Sequence, residues 1–459
     1  MTRRLKNATF VAWLKSCAKK KDLYNGERLH RDILERKLLE NSPYLASSLI
    51  DMYTKCGEIT KAQKVLEELN VREVVSWNAL ITGYVQQGQG HQALESFERM
   101  RSEGISADAI TFTCVVKACG NIGTIEKGKQ IHDEIVSRGL LEKDIVLGNA
   151  LIDMYAKCQM LSNACKVLQE LPCRNVVTWS TLIAGHAQQG HGQEALNCFE
   201  KMQHDNVSPD LATVVSCLKA CSQLGASEKG QEIHAAITSE GLEKDVFIGS
   251  ALIDMYCNCG ILSRAQEVFD NHVIRDSVTW NALLAGYAQL GESDKVFSIL
   301  NGMLEEGQRP SMVTFVSVLN ACSHAGLLER GPMFFDAIDN NYDLIPNLKH
   351  CTCIVDLLGR AGLIDKAAEF INNMPLHPDI AVWLILLGAC RKWNNVDLGR
   401  YAFEHAVQLS ESDSTAYVCM SNIYMNASTQ EAQPEKVGLF KAFHTWMQNT
   451  QTDEVLGWD

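Results

Sequence analysis

VVSWNALITGY at residues 74–84 returns as VVTWSTLIAGH at 176–186 and as SVTWNALLAGY at 277–287. The recurrent tryptophans Trp77, Trp179 and Trp280 stand 102 and 101 residues apart. Self-similarity at a fixed period marks a repeat architecture and outranks any local reading of the chain. Two further signatures keep the same beat. SSLIDMY begins at Ser47, NALIDMY at Asn149 and SALIDMY at Ser250, while VVKAC ends at Cys119, CLKAC at Cys221 and VLNAC at Cys322. Each superperiod of about 101 residues therefore holds three non-identical units.

Cutting at these marks gives eleven units: 7–42, 43–73, 74–108, 109–144, 145–175, 176–210, 211–245, 246–276, 277–311, 312–347 and 348–379. One unit reads as two helices. In 176–210, Trp179, Leu182, Ile183 and His186 fall at i, i+3, i+4 and i+7, one face of a first helix. Gly190 and Gly192 are expected to break it; Ala195, Phe199 and Met202 mark a second amphipathic helix, and Pro209-Asp210 closes the unit. Two short helices cannot bury their apolar faces alone, so neighbouring units must stack, with the first helices lining one surface. No segment alternates with a two-residue period for long enough to require a sheet. The expected class is all-α.

Composition narrows the function. The chain has 459 residues with a 46% hydrophobic share, and its longest strongly apolar run, Ile380 to Cys390, is far short of the ~20 residues needed to cross a bilayer. It carries a formal charge of −13, although residues 1–40 hold 11 basic and 5 acidic side chains. An acidic body argues against tight non-specific binding to a polyanion, because Lys and Arg contacts to phosphate dominate that affinity. Seventeen cysteines, an odd number without a secretory leader pattern, argue for reduced thiols rather than a disulfide framework.

Repeats carry their own control. A polar position that changes inside an unchanging frame is a candidate for specificity. The residue after the tryptophan is Asn78, Ser180 or Asn281, and the equivalent place in the 31-residue units is Ser47, Asn149 or Ser250. Each is expected at the solvent edge of its first helix. The last residue of each unit also varies among polar types: Glu73, Asp108, Asp144, Asn175, Asp210, Asp276 and Ser311. It lies beside the next first helix, so the two side chains are placed to bracket one ligand group. A second reading stands beside this one: these are the residue types that cap helices.

These motifs resemble the pentatricopeptide repeat proteins of plant organelles, in the subclass that alternates P, L and S units; the resemblance covers residues 7 to about 424. It implies a right-handed α-solenoid of stacked helix-turn-helix repeats in which two or three side chains per repeat read one RNA base. The fifth and last residues of a unit would form the reader. By that rule Asn78 with Asp108 implies uracil, and Ser180 with Asp210 and Ser250 with Asp276 imply guanine. Asn149 with Asn175 and Asn281 with Ser311 imply pyrimidines, preferentially cytosine. Ser47 with Glu73 fits poorly, Thr113 with Asp144 and Thr352 with Asp379 are further candidates, and Val11, Val215 and Val316 lack a hydrogen-bonding fifth residue. Val75, Val177 and Val278 would sandwich the bases. Base-edge readout needs few phosphate contacts, which answers the charge objection in part.

Residues 380–424 resemble the helical E-type extension that docks editing partners in this family, and the match degrades over 425–459. Many relatives carry a zinc deaminase, whose chemistry needs H-x-E and P-C-x-x-C. The chain holds His132-Asp133-Glu134, but His30, His132 and His234 share one repeat phase and read as scaffold; no C-x-x-C occurs. Cys257/Cys259 and Cys351/Cys353 lack partner pairs for a metal. The expectation is therefore a non-enzymatic factor, without cofactor or metal. It would bind single-stranded RNA, select sites for C-to-U editing in mitochondrion or chloroplast and act with a separate deaminase. The alternatives are a protein-binding helical scaffold, or an incomplete gene product with residual RNA binding, since the first unit begins at about residue 7.

Overall fold

The computed structural model describes residues 2–39, 42–239, 241–242, 245–272 and 274–428, with side chains from residue 7 to 427. The expected degenerate tail, from residue 429 on, lies outside the described residues. Among the described residues there are helices and no strand. The chain divides into two compact units, Met1–Ala226 and Ser227–Asp459.

The first unit holds α1 (Thr2–Lys20) and α2 (Leu23–Glu35), α3 (Pro43–Lys55) and α4 (Ile59–Glu68), and α5 (Val74–Gln86) and α6 (Gly90–Ser102). It continues with α7 (Ala109–Ile122) and α8 (Ile125–Ser137), α9 (Ile145–Lys157) and α10 (Leu161–Glu170), α11 (Val176–Gln188) and α12 (Gly192–His204), and ends with α13 (Leu211–Leu224). The odd-numbered helices pack side by side in sequence, and each even-numbered helix packs against its partner and the next odd one.

The second unit opens with α14 (Ser227–Ser239) and continues with α15 (Val246–Asn258) and α16 (Leu262–Asn271), α17 (Ser277–Gln289) and α18 (Ser293–Glu305), and α19 (Met312–Ala325) and α20 (Arg330–Asn340). Next come α21 (Leu348–Arg360) and α22 (Ile364–Asn373), then α23 (Ile380–Trp393), α24 (Val396–Leu409) and α25 (Ser414–Ser428). Here too the odd helices form one contiguous layer, α15 to α25.

The packing follows from the periodicity. Trp77, Leu80, Ile81 and Tyr84 of α5 are all buried, as are Trp179, Leu182, Ile183 and His186 of α11. Truncating a tryptophan buried to that degree costs about 3–5 kcal/mol. The apolar run Ile380–Cys390 is α23, whose Val382, Trp383, Leu386, Leu387 and Cys390 centre a core completed by α22, α24 and α25. Repeat-phased links join successive pairs. His30, His132 and His234 each place Nδ1 2.8–2.9 Å from the hydroxyl of Tyr53, Tyr155 and Tyr256 in the following repeat. Burial depresses the basicity of His30 and His132. Arg72, Arg174 and Arg275 donate Nε to the carbonyls of Leu66, Leu168 and Phe269, at 2.9–3.2 Å, satisfying carbonyls near the ends of α4, α10 and α16.

One local expectation needs correction. Gly192 does not break a helix; it is the first residue of α12, buried where a Cβ would lie 2.9 Å from Leu224 and 3.0 Å from the Ala220 carbonyl. The break is made by Gly190 alone, at φ +82°, a left-handed conformation glycine adopts at no steric cost. The helix α1 itself begins at Thr2, ahead of the first unit's expected start at residue 7.

Candidate functional site

The last residue of each repeat is the N-cap of the next odd-numbered helix. Asp108, Asp144, Asn175, Asp210, Asp276, Ser311 and Asp379 each accept a backbone N–H from the first turn of the helix that follows. The capping reading is thus correct for these seven. Glu73 is the exception: it precedes α5 without a side-chain cap bond. Capping also fixes direction. It sets Asp108, Asn175 and Ser311 against the fifth residues of their own repeats, Asn78, Asn149 and Asn281, two helices back.

What the two residues do there depends on the fifth residue. Asn78 donates Nδ2–H to Asp108 Oδ1 at 3.0 Å and accepts the Thr111 hydroxyl on its Oδ1 at 2.6 Å. Asn149 lies 3.5 Å from Asn175 Oδ1 through Nδ2 and accepts the Thr178 hydroxyl at 2.7 Å. Asn281 donates to Ser311 Oγ at 3.1 Å and accepts the Thr314 hydroxyl at 2.6 Å. The three asparagines are therefore paired with their unit's last residue and tied to a third side chain from the next repeat.

Serine and threonine behave differently. Ser47, Ser180 and Ser250 donate to the carbonyls of Tyr44, Val177 and Phe247, three residues back in the same helix, at 3.0–3.2 Å. Thr113 and Thr352 donate to Ala109 and Leu348, four residues back, at 2.7–2.8 Å. Their hydroxyl protons are spent on their own backbone, so the oxygen is left as an acceptor. At the ends of the Ser180 and Ser250 repeats the capping carboxylate takes the threonine hydroxyl: Thr213 to Asp210 at 2.7 Å and Thr279 to Asp276 at 2.8 Å.

Exposure corrects one placement. Ser47, Asn149, Ser180, Ser250 and Asn281 are half-buried at the edge of the odd-helix layer, but Asn78 is only 7% exposed and is not at a solvent edge. Its network explains this. Thr111 N–H, Thr111 Oγ and Asn78 Nδ2 all converge on Asp108 Oδ1. Burial alone would raise the Asp108 carboxyl, but these donors more than offset it and hold it below the usual carboxylate value.

The residues flanking these pairs are apolar and open. Val177 and Val278 are 47% and 57% exposed, while Val75 is half-buried. The second position of other repeats continues the pattern with Tyr44, Ile110, Val146, Phe247 and Val313, all exposed. Sequence reading did not single these out, although they share a phase with the valines. It also passed over Thr111, Thr178, Thr213, Thr279 and Thr314, third in their repeats and fully buried. Their signal was the recurrence of threonine at one phase, which by itself reads as a capping box.

Charge is divided between the two kinds of helix. The odd-numbered helices from α3 to α23 carry eight basic and four acidic residues, whereas the even-numbered ones from α4 to α24 carry 14 basic and 22 acidic. The even-numbered helices are thus net acidic and the odd-numbered ones net basic, while the capping carboxylates Asp108, Asp144, Asp210, Asp276 and Asp379 place negative charge at the starts of the odd-numbered helices. Among the described residues no cluster of His, Cys, Asp and Glu is placed to hold a metal ion. A cavity of about 560 Å³ lined by Phe297, Phe315, Arg330, Phe334 and Tyr342 contains none of the paired residues.

Comparison with known proteins agrees along the chain. The PPR repeat family profile matches residues 72–121, 174–223 and 275–324, and a PPR repeat profile matches 45–74, 110–140 and 149–176. A putative mitochondrial pentatricopeptide repeat-containing protein of Arabidopsis thaliana is 37% identical over 425 residues, covering 92% of this chain and 68% of that protein. The chloroplastic pentatricopeptide repeat-containing protein CRR2 of the same plant is 37% identical over 425 residues, covering 91% of this chain and 64% of its own length. The chain thus spans about two thirds of these relatives. The crystal structure of the pentatricopeptide repeat protein PPR10 from maize aligns with a TM-score of 0.53 at 18% identity, over 96% of this chain and 74% of that one. PPR10 in complex with an 18-nt psaJ RNA element aligns at 0.58 and 16% identity, with the same coverage. With its helical hairpins in register with these matches, the chain belongs to the pentatricopeptide repeat family.

Proposed function

We propose that this chain binds single-stranded RNA sequence-specifically, one base per reading pair, and selects cytosines for C-to-U editing in a mitochondrion or chloroplast. The observation that carries the reading is the hydrogen-bond polarity left over at each pair. At Asn78/Asp108 the amide oxygen is occupied by Thr111, leaving one Nδ2–H donor beside a carboxylate that accepts. That edge complements a uracil carbonyl and its N3–H. At Asn149/Asn175 and Asn281/Ser311 the cap's oxygen is occupied, leaving donor beside donor, which suits cytosine N3 and O2. At Ser180/Asp210 and Ser250/Asp276 both groups accept, which suits guanine N1–H and its exocyclic amine. Serine is also shorter than asparagine and leaves room for a purine.

Thr113/Asp144 and Thr352/Asp379 have the same acceptor–acceptor polarity, and Ser47/Glu73 contributes a carboxylate that caps nothing. The exposed side chains at the second positions flank each base, with stacking the main apolar contact. The alternation of 31-residue and 35- or 36-residue units supports the P, L and S assignment, and α23 to α25 form the E-type extension through which a separate deaminase is recruited. The names of the relatives, mitochondrial and chloroplastic, support an organellar site.

The test is selection of RNA by the full chain from a randomised pool, followed by crosslinking and sequencing of RNA bound in organelles. The reading predicts a selected motif with uracil, cytosine and guanine at the stated steps, and a bound transcript whose neighbouring cytosine stays unconverted when the protein is absent. A chain that selects no motif refutes it. The acidic even-numbered helices favour one competing reading, a scaffold for a basic protein; an RNase-resistant complex together with no RNA binding at low salt would support that instead.

A further inference from the structure

Thr111, Thr178 and Thr314 each belong to one repeat and bond the asparagine of the preceding one. Each is fully buried, and each hydroxyl lies 2.6–2.7 Å from that amide oxygen. An asparagine side chain presents either a donor or an acceptor by a half-turn about its last bond, so an unrestrained amide complements uracil or guanine beside a carboxylate cap, and cytosine or uracil beside a donor cap. In all three repeats the threonine removes that freedom. Its oxygen faces the cap residue's backbone N–H, at 3.2 Å for Asp108, 3.2 Å for Asn175 and 2.9 Å for Ser311. Its one proton has two acceptors within reach, and the amide oxygen is the nearer in every case, the cap side chain lying at 2.9, 2.9 and 3.2 Å. The asparagine is thereby left with only N–H groups to offer.

We infer that the third residue of each following repeat is a positioning residue for base choice, fixing the fifth-residue asparagine as a hydrogen-bond donor. The inference rests on the base-reading proposed above and adds a third side chain to each asparagine step. The serine steps provide the internal contrast. Thr213 and Thr279 occupy the same place, but their hydroxyls bond the Asp210 and Asp276 carboxylates, and Ser180 and Ser250 are held by their own helices. Threonine there is a cap and nothing more.

The experiment measures full-chain binding to the RNA selected by the unaltered protein and to its single-nucleotide variants, at one salt concentration. Thr111→Val keeps the shape and removes the hydroxyl. Preference for uracil over guanine at the Asn78 step should fall about tenfold, since a turned amide beside the Asp108 carboxylate presents two acceptors; that is the scale of one well-formed set of base-edge bonds. Thr111→Ser, which restores the hydroxyl, should recover it. Thr213→Val should leave the guanine preference at the Ser180 step within about twofold of the unaltered protein, on the same scale. Thr178→Val repeats the test at Asn149 should Thr111→Val fail to fold. Undiminished discrimination in folded Thr111→Val overturns the inference, as does an equal loss in Thr213→Val, which would mark a general capping effect. An unaltered chain with no preference at any position refutes the base-reading itself, and the inference with it.

Discussion

Replacing Asn78 by serine converts the Asn78/Asp108 pair into the kind found at Ser180/Asp210. Two contacts disappear: the 3.0 Å bond to Asp108 and the 2.6 Å bond from Thr111. Asp108 Oδ1 already lies 2.9 Å from the Thr111 hydroxyl, so that hydroxyl gives its hydrogen bond wholly to the carboxylate, just as Thr213 bonds Asp210 at 2.7 Å. The folding cost is therefore that of one buried bond, about 0.5–1.5 kcal/mol. Recognition changes more. A donor–acceptor edge becomes acceptor–acceptor, which penalises uracil and favours guanine. A well-formed set of base-edge bonds is worth about 1–3 kcal/mol. At about 1.4 kcal/mol per decade, the uracil-to-guanine affinity ratio should shift roughly tenfold to a hundredfold. Fluorescence anisotropy against RNAs varied at one nucleotide, at fixed salt, reads this directly. An unchanged ratio at every position, or a loss spread evenly over all of them, refutes the pairing logic.

Gly286→Ala should destabilise the chain by about 1–3 kcal/mol in denaturant titration, because the new methyl would overlap Cys257 Sγ and Cβ. Adding Cys257→Ala should recover most of that loss, since the equivalent Gly185 faces Ala156. Lys117→Ala and Lys219→Ala, on exposed positions of α7 and α13, should weaken binding to all RNA sequences alike. Each should reduce the salt-dependence slope by about 0.7. A base-specific effect would argue against a phosphate contact. In Asn78→Ala the Asp108 carboxyl loses a donor, so its depressed titration midpoint should move upward by NMR. Because the folded value is the lowered one, Asp108 contributes stability above its unfolded midpoint and loses it as pH falls through the folded one. Acid unfolding of Asn78→Ala should accordingly begin at higher pH than in the unaltered chain.

The amino-acid sequence alone determined the all-helical repeat class. Tryptophan, LIDMY and Cys signatures recur at a fixed period, and a hydrophobic spacing of 3.6 residues admits only stacked helices that bury one face. It also located the polar positions that vary, because a repeated frame exposes its own exceptions. It could not say what those residues do to one another. Helical spacing puts Asn78 and Ser180 at the same angle, yet only one is buried and bonded to its cap, because the length of the side chain decides whether it reaches across to the next helix. The threonines were invisible as anything but caps, since their second bond crosses between repeats. Gly190 and Gly192 looked alike as breakers until packing against Leu224 separated them. Net charge likewise hid its own division between odd and even helices. Periodicity is local and survives in the sequence; hydrogen-bond direction and close approach exist only once neighbouring helices have come together.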